Sequence, residues 1–200
     1  MTTSAGLRER GKRRRRERIL DAAAELLREQ PDQPLTVERI AERAEVAVTT
    51  VFNLVGTRDH IWAGVAERAF AGLSESPAAQ AQDPQDRARA IVNAVIKRVV
   101  DDTLFRAVFR GWDQSANVLE HDLIGDVLYA CLRDAGFDRV HIGRLSALTA
   151  AGLVGACHQW AAGLIGDRQL RMRARDLVDL AFVAARAAND DPNARWGLNK

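Results

Sequence analysis

The sequence predicts an all-α protein of about nine helices, with a small three-helix unit at the N-terminus and a larger helical bundle behind it. Three observations predict this. Apolar residues recur at spacings of three and four along most of the 200 residues. Ala is abundant, aromatic residues make up only 6%, and alternating apolar–polar runs are nearly absent. Pro, Gly and short polar clusters fall between the periodic stretches, where helices must stop.

The elements follow in order. Ile19, Leu20, Ala23, Leu26 and Leu27 form the stripe of a first amphipathic helix, which must end before Pro31. Pro31-Asp32-Gln33-Pro34 is a loop. Thr36 caps a second helix with Ile40, Ala41 and Ala44 on its inner face. After a break at Glu45, a short third helix runs from about Ala47 to Leu54 and stops at Gly56. A fourth begins near Thr57 or Arg58 and runs to about Leu73. Ser74 to Pro84 is a polar loop, with Asp83 capping the next helix and Pro84 in its first position. That helix carries Ile91, Val95 and Val99. Later stripes are Leu104, Phe105, Val108, Phe109, Trp112, and then Leu119, Leu123, Val127, Cys131, Leu132, closed by Ala135-Gly136-Phe137. Two last helices, about 142–165 and 169–188, are rich in Ala, Gly and Leu. The domain division expected is a basic disordered arm at 1–17, a three-helix head at 18–56, a bundle at 57–188 and a flexible tail at 189–200.

Composition narrows the function. The chain is 47% apolar and 28% charged, ordinary for a globular protein. Its longest uncharged run, between Arg144 and Asp167, contains Ser146, Thr149, His158 and Gln159, too polar for a membrane span. No apolar segment follows the basic N-terminus, so no secretory signal is expected and a cytoplasmic location is. Cys131 and Cys157 alone make neither a disulfide framework nor a zinc spacing. No metal, cofactor or catalytic constellation is expected: no spacing sets a nucleophile beside a base or a phosphate loop after a strand. Net charge is only +2. Within residues 1–20, however, stand eight basic and two acidic residues, so the arm is strongly cationic and the body mildly acidic. That asymmetry points to polyanions, nucleic acid ahead of anionic lipid.

Residues 37–56 fit a helix-turn-helix with Glu45 at the turn. The positions that must pack, Val37, Ile40, Ala44, Val46, Val51 and Leu54, are all apolar, and Ala41 is small where the helices cross. The third helix offers Ala47, Val48, Thr49, Thr50, Phe52 and Asn53, a face without charge. Short hydroxyl, amide and methyl groups are what a helix in a major groove uses on base edges. Thr36 and Thr57 stand at helix N-termini, where hydroxyls and free N–H groups meet phosphates, and Arg58 adds a charge. Arg14, Arg15 and Arg16 of the arm are placed to follow the DNA backbone or enter the minor groove.

From Arg18 to about Leu73 the sequence resembles the DNA-binding region of the TetR family of bacterial regulators. The residues that carry the resemblance are Ile19-Leu20-Asp21-Ala22-Ala23, Leu35 to Ala44, Val46 to Phe52, and Gly56-Thr57-Arg58-Asp59-His60-Ile61. The resemblance implies a homodimeric repressor, released from a palindromic operator by a small-molecule effector held in the C-terminal domain. The departures are Glu45 where the family has a turn Gly, Phe52 where it has Tyr, and Leu54-Val55 in place of a polar and aromatic pair. They open an alternative: a ligand- or partner-binding protein of TetR type whose head has weakened or lost sequence-specific readout.

In the C-terminal region small residues cluster on the last two helices. The resemblance implies that this pair packs against its copy, with Ala147, Ala151, Gly155, Leu177, Ala181 and Ala184 as dimer contacts, while an Ala-rich core within one chain fits the composition nearly as well. Phe105, Phe109, Trp112, Tyr129, His158 and Trp160 are the candidates for a pocket holding an apolar or aromatic effector.

Overall fold

A computed structural model describes residues 4–70, 80–111 and 123–190. Among these the chain is entirely helical: α1 (Ser4–Glu29), α2 (Val37–Arg43), α3 (Val48–Leu54), α4 (Arg58–Phe70), α5 (Pro84–Asp101), α6 (Thr103–Gly111), α7 (Leu123–Asp134), α8 (Arg139–Ala161) and α9 (Asp167–Asp190). They fall into two compact units, one of Met1–Ala71 with Asp102–Glu120, the other of Gly72–Asp101 with His121–Lys200.

In the first unit α1 is the spine on which α2, α3, α4 and α6 pack. Its buried stripe is Ile19, Leu20, Ala22, Ala23, Leu26 and Leu27. One expectation is overturned: residues 4–17 are no disordered arm but the first turns of α1. Leu7 to Arg18 contains no Pro and no β-branched residue, and Arg, Lys and Glu are good helix formers. The buried stripe supplies the nucleus from which the helix extends toward the N-terminus. Pairs along it, Lys12–Glu9 at 3.7 Å and Arg13–Glu17 at 3.6 Å, offset part of the repulsion between the arginines.

Polar clamps fix the short helices to α1. Arg43 of α2 reaches Glu29, with 2.6 Å between Nη2 and Oε2, and this guanidinium holds the Glu29 carboxyl below its usual range. Arg39 donates to the Pro34 carbonyl at 2.6 Å and to Gln30, which ties the Pro31–Pro34 loop down. Arg68 of α4 pairs with Asp21 at 2.9 Å. At the start of α4, His60 Nδ1 accepts from the Thr57 backbone N–H at 3.3 Å, in the manner of a capping box. Arg28 and Asp102 make two bonds, 3.1 and 2.9 Å, between α1 and the residue that precedes α6; the same Asp102 caps the Leu104 N–H. Leu104, Phe105, Val108 and Phe109 of α6 are buried. The expected boundary after residue 56 therefore falls elsewhere, because α4 and α6 pack on α1.

In the second unit α5 packs on α7 and α9, and α8 on α7 and α9. Asp83 Oδ1 accepts from the Asp86 N–H at 2.8 Å with Pro84 in the first turn, as expected. Ile91, Val95 and Val99 are buried, together with Ala88, Val92 and Ile96. The inner stripe of α9 is Leu170, Ala174, Val178, Ala181, Phe182, Ala185 and Ala188. Phe137, just past the α7 turn, meets Phe182 edge to face at 6.1 Å. Arg89 donates to Asp179 at 2.5 Å and Arg87 to Asp134 at 2.6 Å. The last two helices begin and end a few residues from the expected 142–165 and 169–188, and Gly163 in a left-handed conformation stops α8 before residue 165.

Candidate functional site

The turn between α2 and α3 is a Schellman motif. The Val46 N–H reaches the Ala41 carbonyl at 2.9 Å and the Glu45 N–H the Glu42 carbonyl at 3.1 Å. That pattern requires the residue between to be left-handed, and Glu45 sits at φ +53°. Ile40, Ala41, Ala44 and Val51 are buried between the helices; Val37, Val46 and Leu54 are half-buried. Val55 is also buried, so this departure from the family pattern serves the core.

This packing aims one side of α3 away from the unit. Ala47, Thr49, Phe52 and Asn53 are exposed, while Val48 and Thr50 are half-buried at its edge. Phe52 is 50% exposed. α3 has no acidic residue in its first turn and no basic residue in its last. Thr36 caps α2, its Oγ1 accepting from the Arg39 N–H at 3.4 Å. Thr57 and Arg58 are exposed at the start of α4, with Thr57 Oγ1 2.8 Å from His60 Nδ1.

Beside the end of α3 lies a cleft of about 440 Å³, between Asn53 and Leu54 and the N-terminal turns of α1. Arg10, Lys12, Arg13 and Arg16 line it, with Glu9 the one carboxylate. Of the three arm arginines singled out in the sequence, Arg16 stands here. Arg14 and Arg15 do not line the cleft, and Arg15 Nε donates to the Gly11 carbonyl at 3.3 Å. Arg10, Lys12 and Arg13 line the cleft without being among the expected site residues; the spacing of three from Arg10 through Arg13 to Arg16 is the signal once helix is assumed.

The aromatic candidates are less gathered. Phe105 and Phe109 are core side chains of the first unit. Trp160 is buried in the second, its indole N–H donating to Asp167 at 2.6 Å, while Tyr129 and His158 there are half-buried. Trp112 lies outside the described residues. On α8 and α9, Ala147 and Ala151 are exposed and Gly155, Leu177 and Ala184 half-buried. Ala181 is a correction: at 3% exposure it belongs to the inner stripe of α9 and cannot face a partner. It is flanked on the outer side by Leu180, 62% exposed, and Leu148 on α8 is 69% exposed. A groove of about 490 Å³ runs between the two helices, lined by Gly152, Gly155, Ala156, Leu177 and Leu180 among others.

A helical protein with a helix-turn-helix head on a long basic helix is the class these features define. Residues 19–54, which hold the helix-turn-helix, match the family model of bacterial regulatory proteins of the tetR family. The fold is that of TetR-like transcriptional regulators. A TetR regulator from Rhodococcus sp. RHA1 superposes with a TM-score of 0.69 at 20% identity, over 86% of this chain and 97% of that one. RolR in complex with resorcinol does so at 0.66 and 18%, over 86% and 95%. A TetR variant from Acinetobacter baumannii AYE in complex with minocycline does so at 0.63 and 15%, over 86% and 96%. Among curated proteins none matches by sequence.

Proposed function

We propose that the protein is a homodimeric, sequence-specific DNA-binding repressor that leaves a palindromic operator when a small molecule binds its C-terminal unit. The observation that carries the reading is the outward face of α3. Thr49 and Asn53 stand exposed with Ala47 on a helix bearing no charge, and cations of α1 lie at its end. A face that only met water would carry Lys or Glu. One that enters a major groove carries groups able to meet base edges. The hydroxyls of Thr36 and Thr57 and the charge of Arg58 flank it toward the backbone.

The apolar outer face of α8 and α9, with Leu148 and Leu180, supports a second copy packed there, which sets two heads on half-sites one helical turn or more apart. Two structural neighbours hold resorcinol and minocycline, which supports an aromatic effector. The effector acts through a difference in affinity for the DNA-bound and free conformations.

Selection of bound sequences from a random DNA library at near-physiological salt tests the reading. The expected product is a palindrome. Thr50→Ala and Asn53→Ala then each cost about 1–3 kcal/mol on the selected site and little on unrelated DNA. Enrichment of nothing, with only salt-dependent, sequence-blind binding left, overturns the repressor in favour of a head without readout. Leu180→Glu is expected to shift the protein from dimer to monomer in sedimentation velocity; a monomeric wild type refutes the dimer.

A further inference from the structure

We infer that the cleft between α1 and the end of α3 is a binding site for the DNA sugar-phosphate backbone, filled by one side of α1 only. This rests on the DNA reading above and adds to it which cations do the work. At 100° per residue, Arg10, Lys12, Arg13 and Arg16 fall on one half of the helix. Arg8, Arg14, Arg15 and Arg18 fall on the other. The cleft is lined by the first set and by none of the second. The basic N-terminus is therefore two faces with different surroundings, not a diffuse cationic arm.

The chemistry of the first face suits a phosphate strand. Four cations line the cleft with one carboxylate, Glu9, which pairs with Lys12 at 3.7 Å, and Glu17 on the same face reaches Arg13 at 3.6 Å; both are exposed bridges of little strength that a phosphate can displace. From Arg10 to Arg16 the helix rises about 9 Å, the axial span of two to three phosphates on one strand. Guanidinium groups take phosphate oxygens two at a time. Leu54 also lines the cleft and offers an apolar surface on which arginine stems can lie with their heads toward the anion. Asn53 is shared between the cleft and the exposed face of α3. A strand held in the cleft thus sits beside the base-reading face, and the helical arm, rigidly continuous with α1, keeps its register with α3.

The test compares two charge-matched variants on a mixed-sequence duplex of about 30 base pairs, with binding followed by fluorescence anisotropy across a salt series. Arg13→Gln with Arg16→Gln removes two cleft cations. Arg8→Gln with Arg18→Gln removes two from the opposite face. Each phosphate contact contributes about 0.9 to the slope of log K against log salt. The cleft pair is therefore expected to flatten that slope by about 2, and the opposite pair by less than about 1. Helical circular dichroism checks that both variants keep α1. Equal flattening by the two pairs overturns the inference, since the arm then acts as a diffuse charge. No flattening by the cleft pair, while the selected operator is still bound, also overturns it. Wild type that binds duplex through the cleft but enriches no sequence upholds the inference and refutes the sequence-specific repressor. Wild type that binds no duplex refutes both.

Discussion

Replacing Glu45 with Gly is expected to stabilise the protein, although it removes a side chain. The chain ends three helices with the same hydrogen-bond pattern. At Gly136 the Phe137 N–H reaches the Leu132 carbonyl at 3.4 Å, and at Gly163 the Leu164 N–H reaches the Gln159 carbonyl at 2.9 Å. At Glu45 the Val46 N–H reaches the Ala41 carbonyl at 2.9 Å. The residue between is left-handed in all three, at φ +82°, +76° and +53°. Glycine holds that conformation freely; a residue with a Cβ is strained there by about 1–2 kcal/mol. Glu45 is exposed, so its side chain contributes little in return. Gly also widens the unfolded ensemble, which costs about 0.4–1 kcal/mol. The balance is a gain of about 0.5–1 kcal/mol, or roughly 1–4 °C in Tm for a chain of this size. Glu45→Ala keeps the strained backbone and removes the charge, so it is expected within about 0.5 kcal/mol of wild type. Urea unfolding of the three proteins, with unchanged m-values, checks this. A Gly variant no more stable than the Ala variant would refute the reasoning.

Three further outcomes follow from the same packing. A Cβ at Gly111 would lie 2.6 Å from the ring of Trp62, itself buried, so Gly111→Ala is expected to lose about 1–3 kcal/mol in thermal or urea unfolding. Burial raises the Cys157 thiol from 9.0 to about 12, so it stays protonated and unreactive toward a thiol reagent at pH 8 until the protein is unfolded. Because the neutral thiol is the favoured form, its stabilising contribution is intact below pH 9 and is lost as pH rises toward 12, which Cys157→Ala removes from the alkaline limb of a stability profile. The Arg89 bond holds the Asp179 carboxyl below its usual range. Its contribution is present above about pH 3.8 and lost as pH falls further, so Asp179→Asn is less stable than wild type at pH 7 and the difference closes in acid.

What the sequence alone determined was whatever depends on neighbours along the chain. The stripe from Ile19 to Leu27, the Thr36 and Asp83 caps, and the stops at Gly56 and Gly136 are set by periodicity and backbone preference over a few residues. The helix-turn-helix was legible for the same reason, since Ile40, Ala41, Ala44 and Val51 meet across a single turn. Even the strain at Glu45 was readable as a departure from a turn that wants Gly. Tertiary structure decided what depends on rotation and distant partners. Residues 4–17 look like a charged tail until the stripe of α1 nucleates a helix through them, and only then do the arginines divide into two faces. Ala181 and Leu180 are adjacent and both apolar, yet one is buried in the core and the other exposed, because 100° of helix separates them. Likewise α4 and α6 join the head, since Arg68 and the ring of Trp62 find their partners in segments far away in sequence. Local pattern cannot encode such pairings: they are chosen by which apolar faces can be buried together once the helices exist.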